Sequence, residues 1–255
     1  MSAETRHDHI LAVLRRRGYA AIDELAAELS VTPQTIRRDL QELAGEGLVR
    51  RHHGGASLPS SIANTDYALR HVENAQAKAR IAAAAAALVA DGSSVFLTLG
   101  TTVEAVAEAL TAKRELRVVT NSTVAARILG VSPGISVHVL GGAFRPTNGG
   151  LVGAFAAEAA ARWRCDLLVK SVGAITPDGW LLDYHEDEVA VTRTMIAHAR
   201  ATMLVADHTK FLKTAACVVA PLSAVTTLVT DRAPPRSHAA ALRQAGTEVV
   251  VAAAW

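Results

Sequence analysis

Beyond Gly92 the sequence keeps returning to short, almost uninterrupted apolar runs, at residues 95–99, 116–120, 135–140, 166–172, 202–206, 225–230 and 248–252. No other feature restricts the fold as much. A strand covered on both faces reads as a continuous apolar run, because neither side of its pleat meets water. Stretches with helical spacing, at 103–110, 124–129, 155–163 and 189–199, lie between these runs. Strands alternating with helices assemble into a mainly parallel sheet with right-handed crossovers, so this part of the chain is predicted to be α/β.

Residues 1–56 follow a different rule. Ile10, Leu11 and Leu14 predict a helix over 8–17, with Gly18 as its C-terminal cap. Asp23 is expected to cap a second helix carrying Leu25, Ala26 and Leu29. A third opens at Thr32-Pro33: the threonine supplies a capping oxygen, the proline occupies a position that needs no donor, and Ile36, Leu40 and Leu43 form the inner stripe. After Gly47 the run Leu-Val-Arg-Arg-His-His-Gly-Gly-Ala at 48–56 is a short extended segment followed by paired glycines, the pattern of a wing. The expected organisation is a winged helix-turn-helix over 1–56, a linker over 57–72, where Pro, Ser and Asn break any period, and an α/β domain over 73–255. A long helix over 73–90, closed by Asp91-Gly92, is expected to start the last of these.

The net charge of +2 says little about nucleic acid, but the signs are segregated. Asp23, Glu24 and Glu28 gather in one segment, whereas Arg15–Arg17, Arg37 and Arg38, and Arg50–His53 form basic clusters. Phosphate binding depends on the face presented, not on the total. At about 100° per residue, Gln34, Arg38 and Gln41 lie opposite the apolar stripe of the third helix, flanked by Thr35 and Arg37. Arg pairs with guanine, Gln with adenine, and Thr offers a hydroxyl or a methyl, which are the groups that major-groove readout needs. Arg50, Arg51 and His53 would reach the flanking backbone or minor groove from the wing.

Several classes are disfavoured. No apolar run approaches the length of a membrane span, the N-terminus lacks the pattern of a secretory signal, and Cys165 and Cys217 have no metal or redox spacing. They read as reduced core thiols in a cytoplasmic protein, and neither a cofactor nor a metal is expected.

The run Thr-Ile-Arg-Arg-Asp-Leu at 35–40, with His-Gly-Gly-Ala at 53–56, resembles the DeoR family of bacterial transcription regulators. The likeness extends through Leu-Gly-Thr-Thr at 99–102, Val-Thr-Asn-Ser at 119–122, Leu-Gly-Gly at 140–142 with Arg145, Leu-Val-Gly at 151–153, Asp-His-Thr-Lys-Phe at 207–211 and Val-Thr-Asp at 229–231. It implies a sensor domain related in fold to sugar-phosphate isomerases, binding a small anionic sugar metabolite, in a homodimer or higher homo-oligomer that represses operator DNA until the metabolite arrives. The residues themselves agree: Gly100, Thr101 and Thr102 follow one expected strand, while Asn121 and Gly141-Gly142 follow two more. Loops at strand C-termini converge on a crevice, where amides and hydroxyls cradle an oxyanion. Arg145, Lys170, Asp207 and Lys210 complete the candidate effector site.

Some positions depart from the family's pattern: Thr98 stands in a slot often acidic, Lys170 where a small residue is usual, Leu181 near a usual Thr, and Gly150 at a frequent Ser. Lys170 either makes the crevice more cationic or sits at a strand edge. An isomerase-like enzyme is the competing class. Glu186, Asp187, Glu188, Asp207 and Lys210 offer acid and base groups, but no spacing fixes their geometry, and a solvated acidic helix start accounts for Asp187 and Glu188. No catalytic residue is assigned.

Overall fold

In the computed structural model residues 3–17, 19–52, 54–58 and 67–253 are described. Helix α1, Ala3–Arg17, starts earlier than its apolar spacing suggests, and Gly18 lies outside the described residues. A short strand β1, Tyr19–Ala21, leads into α2, Ile22–Glu28. Asp23 is not the cap of α2: Ala21 holds that position and its N–H donates to Glu24 Oε2 at 3.3 Å. Asp23 instead sits in the first turn, where its charge meets the positive end of the helix. Helix α3, Pro33–Gly45, starts as expected, with Thr32 Oγ1 accepting from the Thr35 N–H at 3.2 Å. Ile36, Leu40 and Leu43 pack on Ile10, Leu14 and Leu25 in one buried cluster.

The wing consists of β2, Arg50–His52, and β3, Gly55–Ser57, and β1 joins it in the order β1-β3-β2, all antiparallel. Gly55 permits this pairing. A Cβ there would lie 2.3 Å from the Ala20 carbonyl oxygen and 2.5 Å from the Tyr19 hydroxyl.

The expected long helix over 73–90 is shorter. It is α5, Ala75–Ala87, preceded by α4, Tyr67–Val72, with the chain turning at Asn74 in the left-handed region (φ 54°). The stretch expected as a linker thus ends in a helix, and its residues 59–66 lie outside the described ones.

From there the chain runs β4 (Ser94–Leu97), α6 (Thr101–Leu110), β5 (Leu116–Thr120), α7 (Thr123–Leu129) and β6 (Ile135–Val139). A hairpin follows, β7 (Ala143–Arg145) and β8 (Gly150–Val152), then α8 (Ala154–Ala161) and β9 (Cys165–Lys170). The remainder is β10 (Ala174–Ile175), β11 (Trp180–Asp183), α9 (Glu186–His198), β12 (Ala199–Val205), a 3-10 turn (His208–Phe211), β13 (Cys217–Pro221), β14 (Thr227–Thr230), α10 (Ala239–Ala245) and β15 (Glu248–Val251). All the expected apolar runs enter one seven-stranded sheet, ordered β15-β14-β12-β9-β4-β5-β6, in which every pairing is parallel.

Alternate residues of the inner strands enter different clusters. Val95 and Leu97 pack with Ile81, Val103, Leu110 and Leu129 of α5, α6 and α7, whereas Phe96 packs with Ala156, Ala160, Val191 and Met195 of α8 and α9. Emptying the space of the fully buried Phe96 by Phe96→Ala would cost about 3–5 kcal/mol. A small antiparallel sheet, β10-β11-β13, covers the Leu204 and Leu228 end of the large one. Both cysteines are free thiols, Cys165 buried and Cys217 partly so. No helix among the described residues is long and apolar enough to cross a membrane. Because the large sheet is parallel, the C-terminal ends of its strands lie along one edge, and the loops after β4, β9 and β12 meet there.

Candidate DNA-reading face and effector cavity

The burial of Ile36, Leu40 and Leu43 turns the opposite side of α3 outward: Gln34, Arg37, Arg38 and Gln41 are exposed, and Thr35 is half-exposed with its hydroxyl 2.9 Å from Thr32 Oγ1. The Arg38 side chain, 81% exposed, donates from Nε to Glu42 Oε1 at 3.2 Å. Arg50 and Arg51 are exposed on β2, and His53 lies outside the described residues.

Behind this face stands a residue that the sequence reading missed. Asp39 is buried and accepts from Arg6 Nε at 2.5 Å and Arg6 Nη2 at 2.7 Å, with His7 Nε2 at 3.3 Å. Burial pushes its carboxyl up, but the hydrogen bonds and charges of Arg6 and His7 outweigh that and hold it below the ordinary carboxylate value. The pair ties the start of α1 to the middle of α3 and so sets the tilt of the outward face. A signal was present: Ile36, Asp39, Leu40 and Leu43 follow i, i+3, i+4, i+7, which puts an acid in the buried stripe.

The turn after α3 approaches the α/β domain. Gly47 has φ +74°, and a Cβ there would lie 3.5 Å from Lys213 Cε and 3.8 Å from Thr209 Cβ.

Thr209 and Lys213 belong to the wall of a cavity of about 610 Å³ at the strand ends. Gly100, Thr101, Thr102, Arg145, Asp207 and Lys210 line it, as their motifs suggested. Tyr67, Arg70, Lys78, Asp183, Glu188 and Lys213 also line it, unforeseen. Lys210 has its pKa pushed down to about 8 by burial and by Lys213, with Asp207 opposing. Burial raises the Asp207 carboxyl, but Lys210 and Thr209 outweigh this, so it stays below its usual value. Asp207 Oδ1 accepts from the Thr209 N–H at 3.0 Å and the Thr209 hydroxyl at 2.5 Å. It thereby shapes the turn that presents Lys210. Arg145 pairs with Asp187 and, at 3.5 Å, with Glu188, while Asn148 Nδ2 donates to Glu188 Oε1 at 2.9 Å. The acidic start of α9 is therefore partly a cavity wall and not only a solvated end.

Four expected effector residues stand outside the lining. Asn121 is buried and donates from Nδ2 to the Leu151 carbonyl at 3.1 Å, fastening β8 to the end of β5. Gly141 and Gly142 are packing glycines: a Cβ at the first would lie 2.7 Å from the Phe155 ring, and at the second 2.8 Å from the Val152 carbonyl oxygen. Lys170 occupies neither of its two expected places. It is buried in the central strand β9 and donates to the Ser171 carbonyl at 2.9 Å, its pKa pushed down to about 8 by burial. Ser171, not Lys170, reaches the cavity. The other departures are packing matters as well: Thr98 is buried, Leu181 lies wholly in the core of the small sheet, and a Cβ at Gly150 would lie 2.7 Å from Leu99 Cδ1.

Comparison with known proteins bears on both halves. Residues 6–62 match a family model described as a DeoR-like helix-turn-helix domain, and residues 73–232 match one described as a DeoR C terminal sensor domain. The HTH-type transcriptional repressor CsqR of Escherichia coli K12 is 44% identical over 251 residues, spanning 98% of this chain and 96% of its own. The glycerol-3-phosphate regulon repressor of the same organism is 39% identical over 237 residues, 93% of this chain and 94% of its own. Among solved structures, ribose 5-phosphate isomerase A of Methanocaldococcus jannaschii aligns with a TM-score of 0.41 at 14% identity, over 54% of this chain and 55% of that one.

Proposed function

This chain belongs to the DeoR family of bacterial transcription regulators, and from that premise we propose that it is a cytoplasmic repressor of sugar-metabolism genes, released from its operator by a small anionic sugar metabolite. The carrying observation is the division of labour between two surfaces: an exposed polar and basic side of α3, and a separate cavity in which Lys78, Lys210 and Lys213 face Asp183, Asp207 and Glu188. The lysines supply charge for an anionic group, and the carboxylates accept sugar hydroxyls. Gln34, Arg37, Arg38 and Gln41 read bases, and Arg50 and Arg51 hold the backbone. The working unit is a homodimer or higher oligomer. Exposed Val139 and Phe155, near the open edge of β6, offer it apolar surface to bury.

Footprinting of the full-length protein on genomic fragments, with and without a panel of sugar phosphates and neutral sugars, tests this reading. The expected result is retention of a few sequence-related sites beside sugar-metabolism genes, and release by anionic members of the panel only. Uniform binding to all fragments, or release by neutral sugars alone, would overturn it.

A further inference from the structure

Residues 38 and 42 stand one helical turn apart on α3, so Arg38 and Glu42 share a side of the helix, and Arg38 Nε donates to Glu42 Oε1 at 3.2 Å. An exposed pair of this kind adds little to stability. Its place on the reading face gives it another consequence. The bond engages Nε and leaves the two Nη groups, the fork that can meet guanine O6 and N7, for DNA.

The other carboxylate oxygen, Glu42 Oε2, lies 3.7 Å from His7 Nε2 on α1. The His7 side chain is mostly buried, whereas that of Glu42 is half-exposed. The same Nε2 lies 3.3 Å from Asp39 Oδ1, and Asp39 is the buried acid already held by Arg6. Arg6, Asp39, His7, Glu42 and Arg38 thus form one chain of contacts from the buried side of α3 to its reading face. Arg6, the neighbour of His7 on α1, is also within Coulombic reach of Glu42.

His7 is the member of this chain whose charge can change. A neutral ring offers at most one N–H at Nε2, and the nearer oxygen, that of Asp39, takes it. Protonation adds a charge that attracts both carboxylates, and histidine is the side chain that changes charge between about pH 5 and 8. Held from behind by His7, Glu42 presents Oε1 to Arg38 in one place. Released, Glu42 moves with its half-exposed side chain, and Arg38 moves with it. A mobile arginine on DNA pairs with whichever phosphate it meets, which gives affinity without sequence preference.

We infer that Glu42 is a positioning residue for base readout by Arg38, and that the charge on His7 sets how firmly Glu42 does this, so that sequence discrimination by the DNA head depends on pH. This rests on the reading of the exposed side of α3 as the base-reading face. The sign follows from the contacts: discrimination is highest with His7 protonated and declines as pH rises and that charge is lost.

Competition binding by the full-length protein tests this, with an operator fragment recovered by footprinting and the same fragment with its sequence shuffled, at about pH 6 and about pH 8. The readout is the ratio of the two affinities, because charge elsewhere on the head acts through phosphates on both DNAs and cancels. In the parent the ratio should be about threefold higher at the lower pH, a part of what one bidentate base contact supplies. Glu42→Gln should bind shuffled DNA more tightly, with a salt slope steeper by about one unit, because Arg38 then takes up a phosphate. Its ratio should fall about three- to tenfold and lose its pH dependence. His7→Gln, which keeps a donor for Asp39 but cannot acquire charge, should hold the ratio at its high-pH value throughout. Arg38→Ala provides the reference. If it abolishes discrimination while Glu42→Gln keeps the parent's ratio, or if the pH dependence survives His7→Gln, the inference fails and base reading by Arg38 stands. If Arg38→Ala discriminates like the parent, the reading of Arg38 fails and the inference falls with it.

Discussion

Removing Asp39 should disconnect the reading helix from the start of the chain. Asp39→Ala leaves the Arg6 guanidinium without its two acceptors, and the geometry bounds the cost. Charge-assisted hydrogen bonds contribute about 1.5–3 kcal/mol, and breaking a fully buried ion pair costs about 3–5 kcal/mol. Here the side chains are 12% and 3% exposed, so the site is neither solvated nor sealed, and the expected loss is about 2–3 kcal/mol. For a unit the size of the head, each kcal/mol lowers the melting temperature by about 4–8 °C, so calorimetry of the full-length protein should show its transition about 10–20 °C lower. A double-mutant cycle with Arg6→Ala separates this pair from other effects, and the coupling should exceed about 1.5 kcal/mol. The pH dependence has a definite sign. Because the folded carboxyl lies below its ordinary value, its stabilisation is present above the unfolded pKa of about 3.9 and is lost as pH falls through the folded one. Asp39→Ala should therefore flatten the acid limb of the stability curve. Coupling below about 0.5 kcal/mol, within the error of additivity, would refute the argument.

Other perturbations give equally definite outcomes. Arg38→Ala should cut discrimination between operator and random DNA by about 1–3 kcal/mol with an unchanged melting temperature, measured by competition binding. Lys210, with a pKa of about 8 against an ordinary 10.5, leaves the unfolded chain holding more protons between those values, so ligand-free stability should rise with pH across that window while affinity for inorganic phosphate falls; in paired melting and titration series Lys210→Met should weaken the affinity trend and reduce the stability trend, whose remainder belongs to the equally buried Lys170. Gly55→Ala forces a methyl into the Ala20 carbonyl and the Tyr19 ring and should destabilise the wing by about 1–3 kcal/mol, read as faster amide exchange in 50–57.

The large sheet was legible because its inner strands are buried on both faces and its two edge strands, β6 and β15, though partly exposed, are still rich in β-branched residues, a composition no loop would have. The hairpin β7–β8 and the small sheet were not: Ala143–Arg145 and Ala174–Ile175 are too short and too mixed to show a period, and tertiary contacts decide their pairing. At the site, Gly100–Thr102 could be placed because they follow a recognisable strand end, and Asp207 and Lys210 through the Asp-His-Thr-Lys-Phe run at 207–211. Asn121, Gly141 and Gly142 satisfy the same rule yet lie outside the cavity, since a strand end specifies an edge of the sheet and not which loops on that edge turn toward one another. Arg70 and Lys78 were invisible for a related reason. They come from the segment before the first strand, whose position depends on the buried Glu104 and on the left-handed turn at Asn74.

Gly47 bears on how far such regulators can be recombined. Its backbone conformation and its closeness to Lys213 place a border between the two halves that does not coincide with the connector joining them. A chimera spliced within 57–72 would take residue 47 from one parent and residue 213 from the other. Any side chain at 47 meets both a strained φ and the lysine at the lip of the cavity. The fit of that border in such a hybrid is kept when the small pair is inherited together.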